Sequence, residues 1–278
     1  MQPTRTFSKE YLVKTEIPPM SANVLRITKL LDDMSVSQRK VADAISFDPV
    51  LTARILKLAN SVAFSLQKPV LNLPAAVSTV GNNSIYAAIM MNGLSDAFGR
   101  KVLNSGVGKQ IWLHLLATAM LSRDMCNLAG LRGMDEAFCC GLLHDIGQLI
   151  FLRSDFPLYT SVLEQAENDH DLSHIERETF GFDHADLGAA AAKAWNLPAP
   201  ICEMIRSHHY PTSLSTGGAI ARVVDLSDRF SHLKSNGSEL DAFFDSEAVA
   251  AFGFSAVQFE ALWEDVLIRI EDALPAFE

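Results

Sequence analysis

Apolar residues recur every three to four positions along almost the whole chain, and each run is punctuated in the way helices are. Ser21 precedes a stripe of Val24, Ile27, Leu30 and Leu31. Asp48-Pro49 sets a cap and a first-turn proline before VLTARILKLANSVAF. Pro74 repeats the device before AAVSTVG, where Gly81 can stop the helix, and Asn82-Asn83 start SIYAAIMMNGLSDAF. The longest periodic segment, about Val107 to Ala129, is expected to be a central helix. Asp135 reads as the cap of a helix through Leu142. Ser173 and Glu176 read as a capping box with Gly181 as its stop. Asp183 caps HADLGAAAAKAWN, and Pro198 opens the helix that carries His208. Ser255 and Gln258 offer a further capping box, followed by Phe259, Trp263, Val266, Leu267 and Ile270 at helical spacing. Hairpin turns flanked by alternating residues do not occur, so the expected fold is all-α.

The 278 residues are 49% apolar, enough to bury a large core in one large domain or two modest ones. No apolar run approaches the ~20 residues needed to cross a bilayer. The opening MQPTRTFSKEYLVK lacks the apolar core of a secretory signal. Cys139 and Cys140 are adjacent while Cys126 and Cys202 stand alone, which excludes a disulfide scaffold and a C-x-x-C zinc knuckle. All four read as small core residues in a soluble cytoplasmic protein with reduced thiols. The formal net charge of −10 opposes general binding to a phosphate backbone. That charge is uneven. Residues 239–278 hold about 10 acidic residues and one basic, whereas residues 1–110 hold about 13 basic and 7 acidic. KPVLNLP reads as a loop. LKSNGSE, residues 233–239, reads as the loop-like boundary before the acidic tail, whose helix packs on its own body or meets a partner.

Eight histidines carry the chemical signal. In GLLHDIGQL, His144 and Asp145 are neighbours about 100° apart on a helix, placed to grip one metal, with Gly147 free to turn the chain after them. Taken alone, the His144-Asp145 pair reads first as a buried hydrogen-bonded couple, and it is the other candidates that point to a metal. His114 lies on the long apolar helix with no polar neighbour to explain it, and Asp228 lies on another apolar helix with Asp225 one turn before it. A buried carboxylate needs a partner. Together His114, His144, Asp145 and Asp228 offer nitrogen and oxygen ligands from three segments, a set that suits Mn²⁺, Fe²⁺, Zn²⁺ or Mg²⁺ and would activate a bound water. His184, His208 and His209 could extend it toward a second metal. For His208 and His209 a place at a helix C-terminus competes with that role. His170, His174 and His232 sit in polar sequence and read as surface residues.

From about Ile17 to His232 the chain resembles the HD-related output domain (HDOD) family, a bacterial signalling branch of the HD phosphohydrolase superfamily. The segments that carry the resemblance are IPPMSANVLRITKLLDD, VADAISFDPVLTARILKLANSVAF, AAVSTVG, IWLHLLATAML, FCCGLLHDIGQLIF, ERETFGFDHADLGAAAAKAWNLP, ICEMIRSHH and VVDLSDRF, in that order. The resemblance implies an N-terminal helical subdomain (17–105) packed on an HD-like bundle (106–235). Residues 1–16 form a lead and 236–278 an acidic helical tail. Family members are often fused to receiver or cyclic-di-nucleotide domains; here the module is expected to stand alone.

HD hydrolases place their metal ligands in the order H…HD…D, which matches His114, His144-Asp145 and Asp228, with Asp225 one turn off. Related HD-GYP phosphodiesterases carry Lys where Gln148 stands, and HHYPTSLST replaces their GYP segment. Both departures oppose cyclic-di-GMP hydrolysis, because Gln cannot offset phosphate charge. The resemblance therefore implies a signal-transduction module working through protein contacts, with a metal held or absent. A metal-dependent phosphohydrolase acting on a phosphoester, with Asp145 catalytic, is the alternative. Nucleic-acid binding through the basic first part is a third and weaker reading.

Overall fold

A computed structural model describes residues 17–32, 35–60, 69–103, 105–166, 169–209, 218–237 and 239–273. Among these residues the ordered elements are all helices, as the periodicity requires. In chain order they are α1 (Ala22–Asp32), α2 (Gln38–Ile45), α3 (Pro49–Ala59), α4 (Leu73–Leu103), α5 (Gly106–Leu128), α6 (Met134–Leu143), α7 (Ile146–Ser154), α8 (Phe156–Gln165), α9 (Asp169–Phe180), α10 (His184–Ala194), α11 (Ala199–Ser207), α12 (Gly218–Asn236), α13 (Asp241–Phe244), α14 (Glu247–Ala250) and α15 (Ala256–Ala273). None of them is long and apolar enough to cross a membrane. The described residues divide into two compact units, one within 17–18 and 100–263, the other within 19–99 and 264–273.

In the smaller unit, α1 packs on α2. The buried side chains include Val24, Ile27, Val41, Ile45, Leu51 and Ile55. Asp48 accepts a hydrogen bond from the Leu51 amide at 2.9 Å, and Pro49 follows it at the first helical position. Asp48→Ala is expected to cost about 1 kcal/mol of stability by orphaning that amide, measurable by urea unfolding. Gly81 does interrupt its helix, with φ 77° and ψ 158°. A second break, at Gly99 (φ 73°), carries no proline or cap to announce it.

In the larger unit, α5 packs on α6 and α12, and α10 packs on α7 and α11. Two glycines bring backbones together there. A Cβ on Gly141 would lie 2.8 Å from the Ala119 Cα, and one on Gly147 would lie 2.0 Å from the His184 carbonyl oxygen. Gly147 is helical, within α7, so its place in the motif serves close approach and not the expected turn.

Other local expectations shift as well. Gly133 (φ 103°), not Asp135, stands before α6, and a Cβ there would meet Ile220 at 2.4 Å. Helix α9 begins at Asp169, so Ser173 lies inside it, and Glu176 is drawn into the core instead of closing a capping box. Helix α12 runs on to Asn236, so residues 233–236 are helical; Gly237 (φ 65°) ends the helix, and Lys234 reaches Glu260 at 2.6 Å. The Ser255–Gln258 box does form: the Ser255 amide donates to Gln258 Oε1 at 2.9 Å. Of the stripe behind it, Phe259, Trp263, Val266 and Ile270 are buried while Leu267 is exposed. Phe259 and Trp263 join Phe230 and Phe243 in one aromatic cluster, with ring centroids 4.8–6.0 Å apart around Phe230. Part of HHYPTSLST, from residue 210 on, and the end of ANSVAF lie outside the described residues.

Candidate metal centre

Five segments of the larger unit deliver polar side chains to one buried point. His114 comes from the middle of α5, and His144 and Asp145 from the junction of α6 with α7. His184 is the first residue of α10, His208 and His209 follow α11, and Asp228 comes from α12. His144 and Asp145 are thus at a helix break, where Asp145 takes φ −103° and ψ 15°, and not within a continuous helix. All are buried except His114 and His209, which are partly so.

The donors form two groups. In the first, His114 Nε2 lies 2.9 Å from Asp228 Oδ1 and 3.2 Å from His144 Nε2, and His144 Nε2 lies 3.3 Å from Asp228 Oδ1. In the second, His184 Nε2 lies 2.8 Å from His209 Nε2 and 3.1 Å from Asp145 Oδ1, with His208 Nε2 3.3 Å from that same oxygen. Asp145 faces both groups: its other oxygen, Oδ2, lies 3.5 Å from His144 Nε2 and 3.9 Å from His114 Nε2. Within each group of three or four donors the ligand atoms lie within 4.8 Å of one another.

The donor set fits a divalent ion by its own chemistry. Asp145 Oδ1, Asp228 Oδ1 and His208 Nε2 are buried and close to polar atoms, yet none has the alignment of a hydrogen bond. Buried polar atoms are normally satisfied. Imidazole nitrogens also face each other in pairs, which needs either a shared proton or a shared ion. Without an ion the rings divide the charge. Burial pushes His114 down to about 4, with His232 adding to it. Burial likewise opposes charge on His144, but Asp145 and Asp228 outweigh it and lift His144 to about 9. The second pair repeats the pattern. Burial holds His209 well down, whereas Glu176 and Asp145 overcome burial at His184 and raise it. Burial would raise both aspartates, yet the surrounding imidazoles hold Asp145 and Asp228 well below the usual carboxylate range.

Asp225 is not brought in. It pairs with Arg229 at 3.8 Å, and burial lifts its carboxyl to about 6. Two residues beyond the expected set do reach the cluster. His232, read as a surface residue, is half-buried, packs against His114 at 4.1 Å between centroids with the rings tilted, and lies 3.8 Å from Asp228. The signal for it was its i,i+4 spacing from Asp228. Glu176 is buried and accepts from both nitrogens of His184 that face it, Nδ1 and the backbone amide, at 2.7 Å each. Nothing in its local sequence separates it from a helix cap. His174 is exposed beside Glu178, as expected, and the side chain of His170 lies outside the described residues.

Against known proteins, the family model for the HDOD domain matches residues 17–211. An uncharacterized protein of Treponema pallidum (strain Nichols) is 29% identical over 199 residues, 70% of this chain. The match spans 38% of that relative's length. Two crystal structures share the fold. A candidate phosphohydrolase from Shewanella amazonensis SB2B superposes with a TM-score of 0.72 at 19% identity, covering 96% of this chain and 97% of that one. A candidate signal transduction protein from Marinobacter aquaeolei VT8 gives 0.71 at 20% identity, covering 99% of this chain and 62% of that one.

Proposed function

The chain belongs to the HDOD domain family, and from that premise we propose that it is a signal-transduction module acting through contacts with a signalling protein. Its His/Asp cluster holds divalent metal as a fixed internal element. His114, His144 and Asp228 would hold one ion and His184, His208 and His209 a second, with Asp145 turned toward both. Nitrogen and carboxylate donors of this kind suit manganese, iron, zinc or magnesium. Such a metal, when bound, supplies Lewis acidity and a water of lowered pKa.

The observation that carries the regulatory reading is Gln148. Its amide donates to Asp145 Oδ2 at 2.5 Å, within the core. A neutral amide committed to a ligand carboxylate leaves no charge at that position for a phosphate, and phosphodiesterases of the superfamily carry lysine there. The signal transduction protein of Marinobacter aquaeolei VT8 that shares the fold supports this class.

Elemental analysis of the purified chain, together with a phosphoester panel containing cyclic-di-GMP and supplied with Mn²⁺, tests the proposal. Bound metal without turnover is the expected result. The completeness of the donor set favours a second reading, an HD-type phosphohydrolase in which Asp145 orients the attacking water. Turnover that disappears in a folded Asp145→Ala protein would establish that reading in place of the first.

A further inference from the structure

We infer that the two halves of the cluster are unequal, and that Glu176 makes the His184 half the tighter metal site, the one that fills first. The inference rests on the metal-holding part of the proposal above. Glu176 and His184 are both fully buried, 0% exposed. The His184 backbone amide can only donate, so Glu176 Oε2 is an acceptor, and the ring Nδ1 at the same 2.7 Å from that oxygen must donate too. The Tyr159 hydroxyl donates to the other oxygen, Oε1, at 2.6 Å. Glu176 thus has three donors. The His184 ring is locked with its Nε2 aimed at Asp145 Oδ1 and His209 Nε2.

Neighbouring contacts hold this arrangement in place. Arg177 reaches Asp183 at 2.5 Å, and Asp183 caps α10 through the Asp186 amide at 2.8 Å, which fixes the corner between Glu176 and His184. Tyr159 stacks on Phe151, 5.1 Å between centroids.

Three of the other rings, one of them in the same half as His184, have neutral backing. His144 Nδ1 faces the Gly141 carbonyl at 2.8 Å, His208 Nδ1 the Ile205 carbonyl at 2.6 Å, and His114 Nδ1 the Ser231 hydroxyl at 3.3 Å. A carboxylate behind a ligating imidazole orients the ring and raises its basicity more than a neutral acceptor does. Loss of such a partner typically costs 10–100-fold in metal affinity. Glu176 is therefore a positioning residue, acting on the metal only through His184.

The test uses the full chain stripped of metal and titrated with Co²⁺, followed by calorimetry and visible absorption. Thermal unfolding of the stripped proteins serves as the control for folding. Wild type is expected to show two binding events of unequal affinity. Glu176→Gln, which keeps an acceptor but drops the charge, should weaken the tighter event by about 10–100-fold and leave the weaker one within about twofold. Tyr159→Phe, further from the metal, should move the same event in the same direction by a smaller factor. Two equal events in wild type, or a Glu176→Gln protein that leaves both unchanged or weakens both alike, would overturn the inference while the metal reading stands. A wild-type chain that takes up no cobalt would overturn the metal reading and this inference with it.

Discussion

Asp145→Asn is expected to abolish binding of both ions, weakening each by more than about 100-fold, a larger loss than removing a supporting hydrogen-bond partner produces. The two oxygens of Asp145 face different halves of the cluster, Oδ1 toward His184 and His208 and Oδ2 toward His114 and His144. Neutralising it therefore withdraws charge from both. The metal-free protein should suffer as well. Asp145 is among the charges that keep His144 and His184 protonated against the cost of burial. Breaking a buried pair by removing one partner costs about 3 kcal/mol. Elemental analysis and thermal unfolding of the stripped and loaded proteins check both effects. Asp225→Asn is the control: that carboxylate pairs with Arg229 and should leave both ions bound. An Asp145→Asn protein that kept stoichiometric metal would remove Asp145 from the site.

The contrast between Asp145 and Glu176 shows what could be read from sequence. Helices were legible because a 3.6-residue period and capping side chains are local: Asp48, Asp183 and Ser255 cap as their spacing predicts. His114, His144, Asp145 and Asp228 could be listed because each stands in an apolar stretch of sequence where a polar group demands a partner. Their meeting is a tertiary fact that spacing does not contain, and it was the family resemblance that ordered them. Glu176 was hidden for the opposite reason. Its neighbours are polar and its spacing from Ser173 suits a cap, so only the fold reveals that its carboxylate points inward to His184. His232 was hidden in the same way by the polar run around it. Within the loop-like stretch 233–239, residues 233–236 are helical instead, because polar residues on one face of α12 look like a linker until Lys234 finds Glu260.

Gly147 presents a conflict between a local and a tertiary effect, and the sizes decide it. Gly147→Ala would gain about 1 kcal/mol of helix propensity within α7. Against that, the new Cβ would sit 2.0 Å from the His184 carbonyl oxygen and 2.7 Å from its carbonyl carbon. These are backbone atoms, which cannot swing away as a flexible side chain does, so α7 and α10 must part by roughly 1 Å. Overpacking of this kind costs about 1–3 kcal/mol and more where both sides are rigid. The expected net result is a loss of about 2 kcal/mol or more, read by urea unfolding. Because the atom displaced belongs to His184, the tighter cobalt event should weaken as well, while the His114 half is affected less. Gly106→Ala provides the contrast, since a Cβ there meets nothing within 4 Å. It should be neutral or slightly stabilising and leave both ions in place. If Gly147→Ala behaved like Gly106→Ala, the close approach of α7 to the start of α10 could not be what positions His184.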